Sequence, residues 1–190
     1  MNEFQELEYK YRADDVGLKQ FQEFMEGLGY CKHMTVSSWD TYFINDPGDF
    51  IRFRESHLTP ELTVKRKTKE ENNWHRVEVD LPLDSKRINR KTVEHFVKLE
   101  NYIENFRIFK SCFIFFQEHI NYVYYIVYDY EMREKQRFIE VEVNKDKINE
   151  LVDNGIDPKE LLKKGEELLF KLNISSKNRL KKSLFELYRK

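Results

Sequence analysis

Charged residues recur at every second position within short runs of the chain: Glu6, Glu8, Lys10 and Arg12; Arg52 and Arg54; Lys65 and Lys67; Arg76, Glu78 and Asp80; Glu140 and Glu142; with Lys110 and Asp129 isolated in similar surroundings. Alternation of this kind has the period of a β-strand, so each set shares one strand face. A solvated face normally mixes the signs, because like charges repel across neighbouring strands. Here the first and last runs are acidic and the middle ones basic. Rolled inward, such a face makes a cavity with a cationic wall for several phosphate oxygens and a carboxylate cluster for a divalent ion. Hard oxygen ligands favour Mg²⁺ or Mn²⁺, and arginines make forked hydrogen bonds to phosphate.

The elements that position these residues are legible from periodicity and breakers. Strands are expected at about 4–12, 33–45, 49–56, 61–69, 73–81, 107–118, 121–131 and 136–144, with turns at Asp46-Pro47-Gly48 and Glu71-Asn72-Asn73. Asp14 or Asp15 is expected to cap a helix with an apolar stripe of Leu18, Phe21, Phe24, Met25 and Leu28, ending at Gly29. Further helices are expected at about 85–101, 158–171 and 176–189, the last two opened by Asp157-Pro158 and Ser175-Ser176. Eight strands joined mostly by short turns predict an α+β fold: an eight-stranded antiparallel β-barrel with helices packed outside.

Composition narrows the function classes. At 190 residues one domain, 1–190, is expected. The balance of 33 basic and 34 acidic residues argues against a general nucleic-acid binder, which needs a dominant basic charge. No apolar run approaches a membrane span, and the first residues lack a signal-peptide plan, which predicts a cytoplasmic protein with no membrane partner. Cys31 and Cys112 are too few for a disulfide framework, and His33, His57, His75, His95 and His119 form no metal-binding spacing. Phe113, Phe115, Tyr122, Tyr124 and Tyr128, at alternating spacing, read as core or helix-facing side chains rather than a base-stacking platform. The basic cluster Lys177, Arg179 and Lys181 reads as a solvated helix face.

The run Glu6-Leu7-Glu8-Tyr9-Lys10 resembles the ExExK signature of the CYTH superfamily, the triphosphate tunnel metalloenzymes. Asp40-Thr41-Tyr42-Phe43, Ile51-Arg52-Phe53-Arg54, Leu62-Thr63-Val64-Lys65 and Arg76-Val77-Glu78-Val79-Asp80 are similar to its next strand motifs. Lys110, Asp129, Phe138-Ile139-Glu140-Val141-Glu142 and Lys182-Ser183 follow in the family's order, so the resemblance spans about residues 3–186.

This resemblance implies a tunnel that binds a triphosphate along its axis with Mg²⁺ or Mn²⁺. It implies metal carboxylates at Glu6, Glu8, Glu140 and Glu142, with Glu78, Asp80 and Asp129 completing or orienting the shell. Phosphate contacts would come from Lys10, Arg52, Arg54, Lys65, Arg76, Lys110 and Lys182, and the catalytic set would be Glu6, Glu8, Lys65 and Arg76. Cys112 replaces a second cation of the sixth strand, Gln136 a glycine, and Leu184 the tyrosine of the usual KSY. The implied activity is metal-dependent hydrolysis of inorganic triphosphate or a nucleoside triphosphate; nucleic acid is not expected as a partner, with only an RNA 5′ triphosphate end left open. Alternatives are a class IV adenylate cyclase and a non-catalytic nucleotide or polyphosphate binder.

Overall fold

The computed structural model describes residues 2–5, 7–30, 33–45, 50–67, 76–84 and 88–189. Of the expected features, Glu6, Cys31, His75, both named turns and the start of the helix at 85 lie outside them, as do the side chains of Lys65, Arg76 and Glu78.

The expected first strand is two strands, β1 (Asn2–Gln5) and β2 (Glu8–Arg12), because the run serves two different neighbours. β1 pairs with β6 (Arg76–Pro82), whereas β2 pairs with β9 (Glu134–Val143). Between them run β3 (His33–Ile44), β4 (Phe50–Ser56), β5 (Glu61–Lys67), β7 (Ile103–Phe116) and β8 (Ile120–Tyr128). All pairings are antiparallel, in the order β1-β6-β5-β4-β3-β7-β8-β9-β2-β10, where β10 is the short Arg179–Leu180. Among the described residues the ladder is therefore not closed by hydrogen bonds. It is closed by the chain: Gln5 and Glu8 are three peptide units apart, so β1 and β2 meet within about 11 Å and the sheet must curl.

Helices cover the outer faces. The helix α1 (Leu18–Gly27) buries Phe21 and Met25, and α4 (Pro158–Leu169) buries Leu162 and Leu169, on a shell of Tyr11, Tyr122, Tyr124, Ile139 and Val141. Gly165 lets α4 approach closely, since a Cβ there would sit 2.8 Å from Val141 Cγ1. The helix α2 (Arg90–Leu99) lays Val93 and Val97 on Phe43, Ile51, Phe53 and Leu62. Phe115, Tyr122 and Tyr124 are buried in the α1/α4 shell and Phe113 packs against it, as expected of helix-facing aromatics.

Local signals fared unevenly. Asp157 caps α4 with Pro158 in its first turn, and Gly29 adopts φ +87 just past α1. The α1 cap is Gly17 instead of Asp14 or Asp15: Asp14 accepts the Arg137 N–H at 3.1 Å and pairs with Arg12. A short helix, α3 (Ile148–Asp153), was not expected, and α2 starts at Arg90 under an Asn89 cap. The expected closing helix is broken. β10 joins the edge of β2, and a Ser183–Glu186 capping box then starts α5 (Leu184–Tyr188).

Candidate functional site

Strand register gathers the charged positions onto the inner face of the curled sheet. One transverse row runs Met34–Ile114–Val123–Glu140–Lys10–Leu180 across β3, β7, β8, β9, β2 and β10. Others align Asp40, Arg54 and Glu61, and Tyr42, Arg52, Thr63 and Asp80. These faces enclose a cavity of about 520 Å³. Its lining includes Glu8, Lys10, Arg52, Arg54, Asp80, Lys110, Glu140, Glu142 and Lys182, all expected there. Lys182 is exposed on the rim, beside Lys181.

The most buried charge, Asp40, was expected only as part of a strand motif. Its carboxylate is 0% exposed and accepts both Nε (2.9 Å) and Nη2 (3.0 Å) of Arg54, with Lys110 Nζ at 3.1 Å and the Ser38 hydroxyl at 3.2 Å. Burial pushes this carboxyl upward, yet the Arg54 guanidinium and the Lys110 ammonium outweigh it and hold it well below the usual range. Asp40 therefore takes the fork of Arg54 that was expected to meet phosphate. Arginine has five N–H donors and lysine three, so both cations keep donors for a ligand.

The other cations are held in the same way. Arg52 donates to Thr63 Oγ1 (2.8 Å) and Glu61 (3.1 Å), and Thr63 donates to Asp80 at 2.8 Å. Lys10 lies 2.9 Å from Glu140 and 3.4 Å from Glu8. Tyr125 donates to Glu140 at 2.9 Å. Burial works against ionisation of Glu140, but Lys10, Lys110 and these hydrogen bonds keep its carboxyl below the ordinary value. Ser38, Asp40, Glu61, Thr63 and Tyr125 were missed as site residues. The signal for Asp40 was available, a carboxylate on the inward parity of a strand whose neighbours carry Arg54 and Lys110.

One expected metal carboxylate is misplaced. Asp129 does not line the cavity. It lies beyond the end of β8, where its carboxylate accepts the backbone N–H groups of Glu131 and Arg133 and pairs with Arg133 and Lys135. A register shift at Val127/Tyr128 ends the regular pairing just before it, so strand parity no longer decides where it points.

Glu8 and Glu142 face each other in register across β2 and β9, and both line the cavity. Like charges placed so repel unless a cation intervenes. Asn121 Nδ2 donates to Glu142 at 3.1 Å. Among the described residues no three carboxylate, imidazole or thiol groups form a metal cage. A facing carboxylate pair nevertheless suits Mg²⁺, which keeps several waters and is usually held by one or two carboxylates plus substrate phosphates. No described helix is long and apolar enough to cross a membrane.

The curled antiparallel sheet is the fold that the resemblance implied, and several solved structures share it. The PH1012 protein of Pyrococcus horikoshii OT3 is similar with a TM-score of 0.73 at 19% identity, over 97% of this chain and 99% of that one. A candidate adenylate cyclase from Bacillus halodurans matches with 0.64 at 14% identity, over 99% of each chain. A chain of the Schizosaccharomyces pombe Mediator head module matches with 0.63 at 12%, over 88% of this chain and 96% of that one. No protein-family model and no curated protein sequence matches. Likeness at such identities establishes the fold, and activity has to be argued from the site.

Proposed function

We propose that the protein is a divalent-metal-dependent triphosphatase that hydrolyses a triphosphate bound inside the sheet. The observation that carries this reading is the cavity itself, which Lys10, Arg52, Arg54 and Lys110 line together with the facing Glu8–Glu142 pair. Three of these cations are largely buried: Lys10 and Arg52 are each 8% exposed and Lys110 7%. Cations so desolvated interact strongly with a polyanion, and the carboxylates that hold them set their geometry before a ligand arrives.

In this mechanism Arg54 and Lys110, fixed by Asp40, and Arg52, fixed by Thr63 and Glu61, bind phosphate oxygens. Lys10, held against Glu140, adds a donor from the opposite wall, and Lys182 reaches in from the rim. Glu6, Lys65 and Arg76 belong to the same proposed set. Water attacks the terminal phosphorus as the bridging P–O bond breaks, and the cations compensate the charge carried away by the leaving group. Glu8 and Glu142, with Glu6 and Glu140 beside them in sequence, would hold Mg²⁺ or Mn²⁺. Bound there, the ion would neutralise phosphate charge and lower the pKa of a coordinated water. Asp80, engaged by Thr63, orients that neighbour.

The test is incubation with ATP, GTP, inorganic triphosphate and thiamine triphosphate in Mg²⁺ and in Mn²⁺, with all products resolved. Release of phosphate is the expected result. Cyclic nucleotide plus pyrophosphate would make the protein an adenylate cyclase, the activity in the name of the Bacillus halodurans neighbour. Unchanged substrate with tight binding would make it a non-catalytic binder.

A further inference from the structure

One buried ionic group lies outside the cavity and takes no part in the proposed reaction. Glu8 and Lys10 of β2 line the cavity, so the alternate positions Tyr9 and Tyr11 point outward, into the shell beneath α4. There Glu166 of α4 is 8% exposed, and its carboxylate accepts the Tyr11 hydroxyl. Burial, with this carboxylate beside it, raises the Tyr11 hydroxyl well above its ordinary value, so Tyr11 donates without supplying a charge. The balancing charge comes from Arg179 of β10. Its Nη1 lies 3.4 Å from Glu166 Oε1, and its guanidinium carbon lies 3.5 Å from the Tyr9 ring centroid. The sequence reads Arg179 as part of a solvated helix face, whereas its side chain is only 22% exposed.

These contacts form one end of a strap. β10 pairs with β2 at the end of the ladder, Arg179 opposite Tyr11 and Leu180 opposite Lys10. Arg179 engages the outer shell while Leu180 lines the cavity, so the chain passes from outside to inside at this sheet edge. Lys181, Lys182 and Ser183 continue along the cavity. The far end is held by Phe185, which stacks on Phe50 at 4.3 Å, and by Tyr188, which donates to Gln136 at 2.6 Å. Lys182 stands midway between Arg179 and Phe185, and six residues reach at most about 21 Å. The outer anchor is itself held to the sheet: next to Glu166, the Gly165 carbonyl accepts the Tyr122 hydroxyl at 3.3 Å.

Lys182 is exposed, so a contact between it and phosphate has to offset the ordering of a long side chain and of the backbone that carries it. A ladder of two residues restrains that backbone weakly. An arginine that both neutralises a buried carboxylate and lies over an aromatic ring restrains it far better. We propose that Arg179 is a positioning residue for triphosphate binding: seated on Glu166 and Tyr9, it holds the strap across the sheet edge and so fixes Lys182 at the rim. This rests on the tunnel reading above and extends it to a residue that touches no ligand. Without the outer anchor the strap is tethered at Phe185 alone, and Lys182 binds phosphate only after the whole span has been ordered.

The test is a mutant cycle read by calorimetric titration with inorganic imidotriphosphate in Mg²⁺. Arg179→Gln is combined with Glu166→Gln, so that neither charge is stranded and the Tyr11 hydroxyl keeps an acceptor. This pair should weaken the ligand about fivefold, the scale of one cation contact at a solvated rim. Lys182→Ala should weaken it by a similar factor, and the three changes together should bind no more weakly than Lys182→Ala alone, because the pair acts through that lysine. Tyr9→Leu, which removes only the ring beneath the guanidinium, should show the same non-additivity and keeps the test available if the charge-neutral pair does not fold. Circular dichroism at the titration temperature identifies any loss that is merely unfolding. A latch that is only structural would lower the melting temperature and leave affinity unchanged. That result overturns the proposal, as do losses that multiply in the combined variant or a Lys182→Ala protein that binds like wild type; each leaves the tunnel reading intact. Absence of binding by the wild type overturns the tunnel reading, and the positioning role with it.

Discussion

Replacing Asp40 by Asn tests the electrostatic design of the cavity. The side chain keeps its shape but loses the charge that compensates Arg54, through bonds of 2.9 and 3.0 Å, and Lys110 at 3.1 Å. Breaking a buried ion pair from one side costs about 3–5 kcal/mol, since it strands the partner charge. Asparagine retains one oxygen acceptor and the Arg54 side chain is 25% exposed, which places the expected loss near ~3 kcal/mol. For a chain of this size that lowers Tm by roughly 6–12 °C in calorimetry. The pH dependence has a definite sign. The Asp40 carboxyl is held below its ordinary value of 3.8, so its contribution is complete above about pH 4 and disappears as the pH falls below that. The Asn variant should therefore lose less stability on acidification than the wild type. It should also gain more from added inorganic triphosphate, because a polyanion replaces the missing charge. A variant within about 1 kcal/mol of wild type, with an unchanged acid slope, would refute the assignment of Asp40 as the group that fixes these two cations.

Other perturbations probe separate parts of the argument. Glu8→Gln keeps the side-chain volume but removes a charge that a hard cation needs, so steady-state assays should show most turnover lost while circular dichroism shows a folded protein; full activity there, or in excess EDTA, refutes the metal reading. Inorganic triphosphate at 100 times its dissociation constant should stabilise the protein by roughly 2.7 kcal/mol in a thermal-shift titration, and no shift at millimolar concentration would mean the cations do not act together. Gly165→Ala places a methyl 2.8 Å from Val141 Cγ1 and 3.1 Å from Ile120 Cδ1; denaturant unfolding should show a loss of about 1–3 kcal/mol, the usual cost of overpacking.

Much of this molecule follows from local pattern. Period-two alternation marks the inner face of each strand whichever neighbours it finds, which is why Lys10, Arg52, Arg54, Lys110, Glu140 and Glu142 could be assigned to one face before any pairing was known. The α4 start was equally local, since Asp157 and Pro158 satisfy the helix end with their own atoms. Pairing and contact were not local. Whether residues 2–12 form one strand or two depends on having β6 on one side and β9 on the other. That Arg54 and Lys110 converge on Asp40 depends on the β4–β3–β7 order, which brings together residues 14 and 70 positions from it in sequence. Asp129 shows the limit of parity: once the β8–β9 ladder slips at Val127, alternation stops predicting direction, and the carboxylate satisfies its own turn. Part of the cavity lining was hidden for a related reason. Met34 and Val36 look like ordinary core residues in sequence, and only the curl of the sheet leaves them lining a cavity.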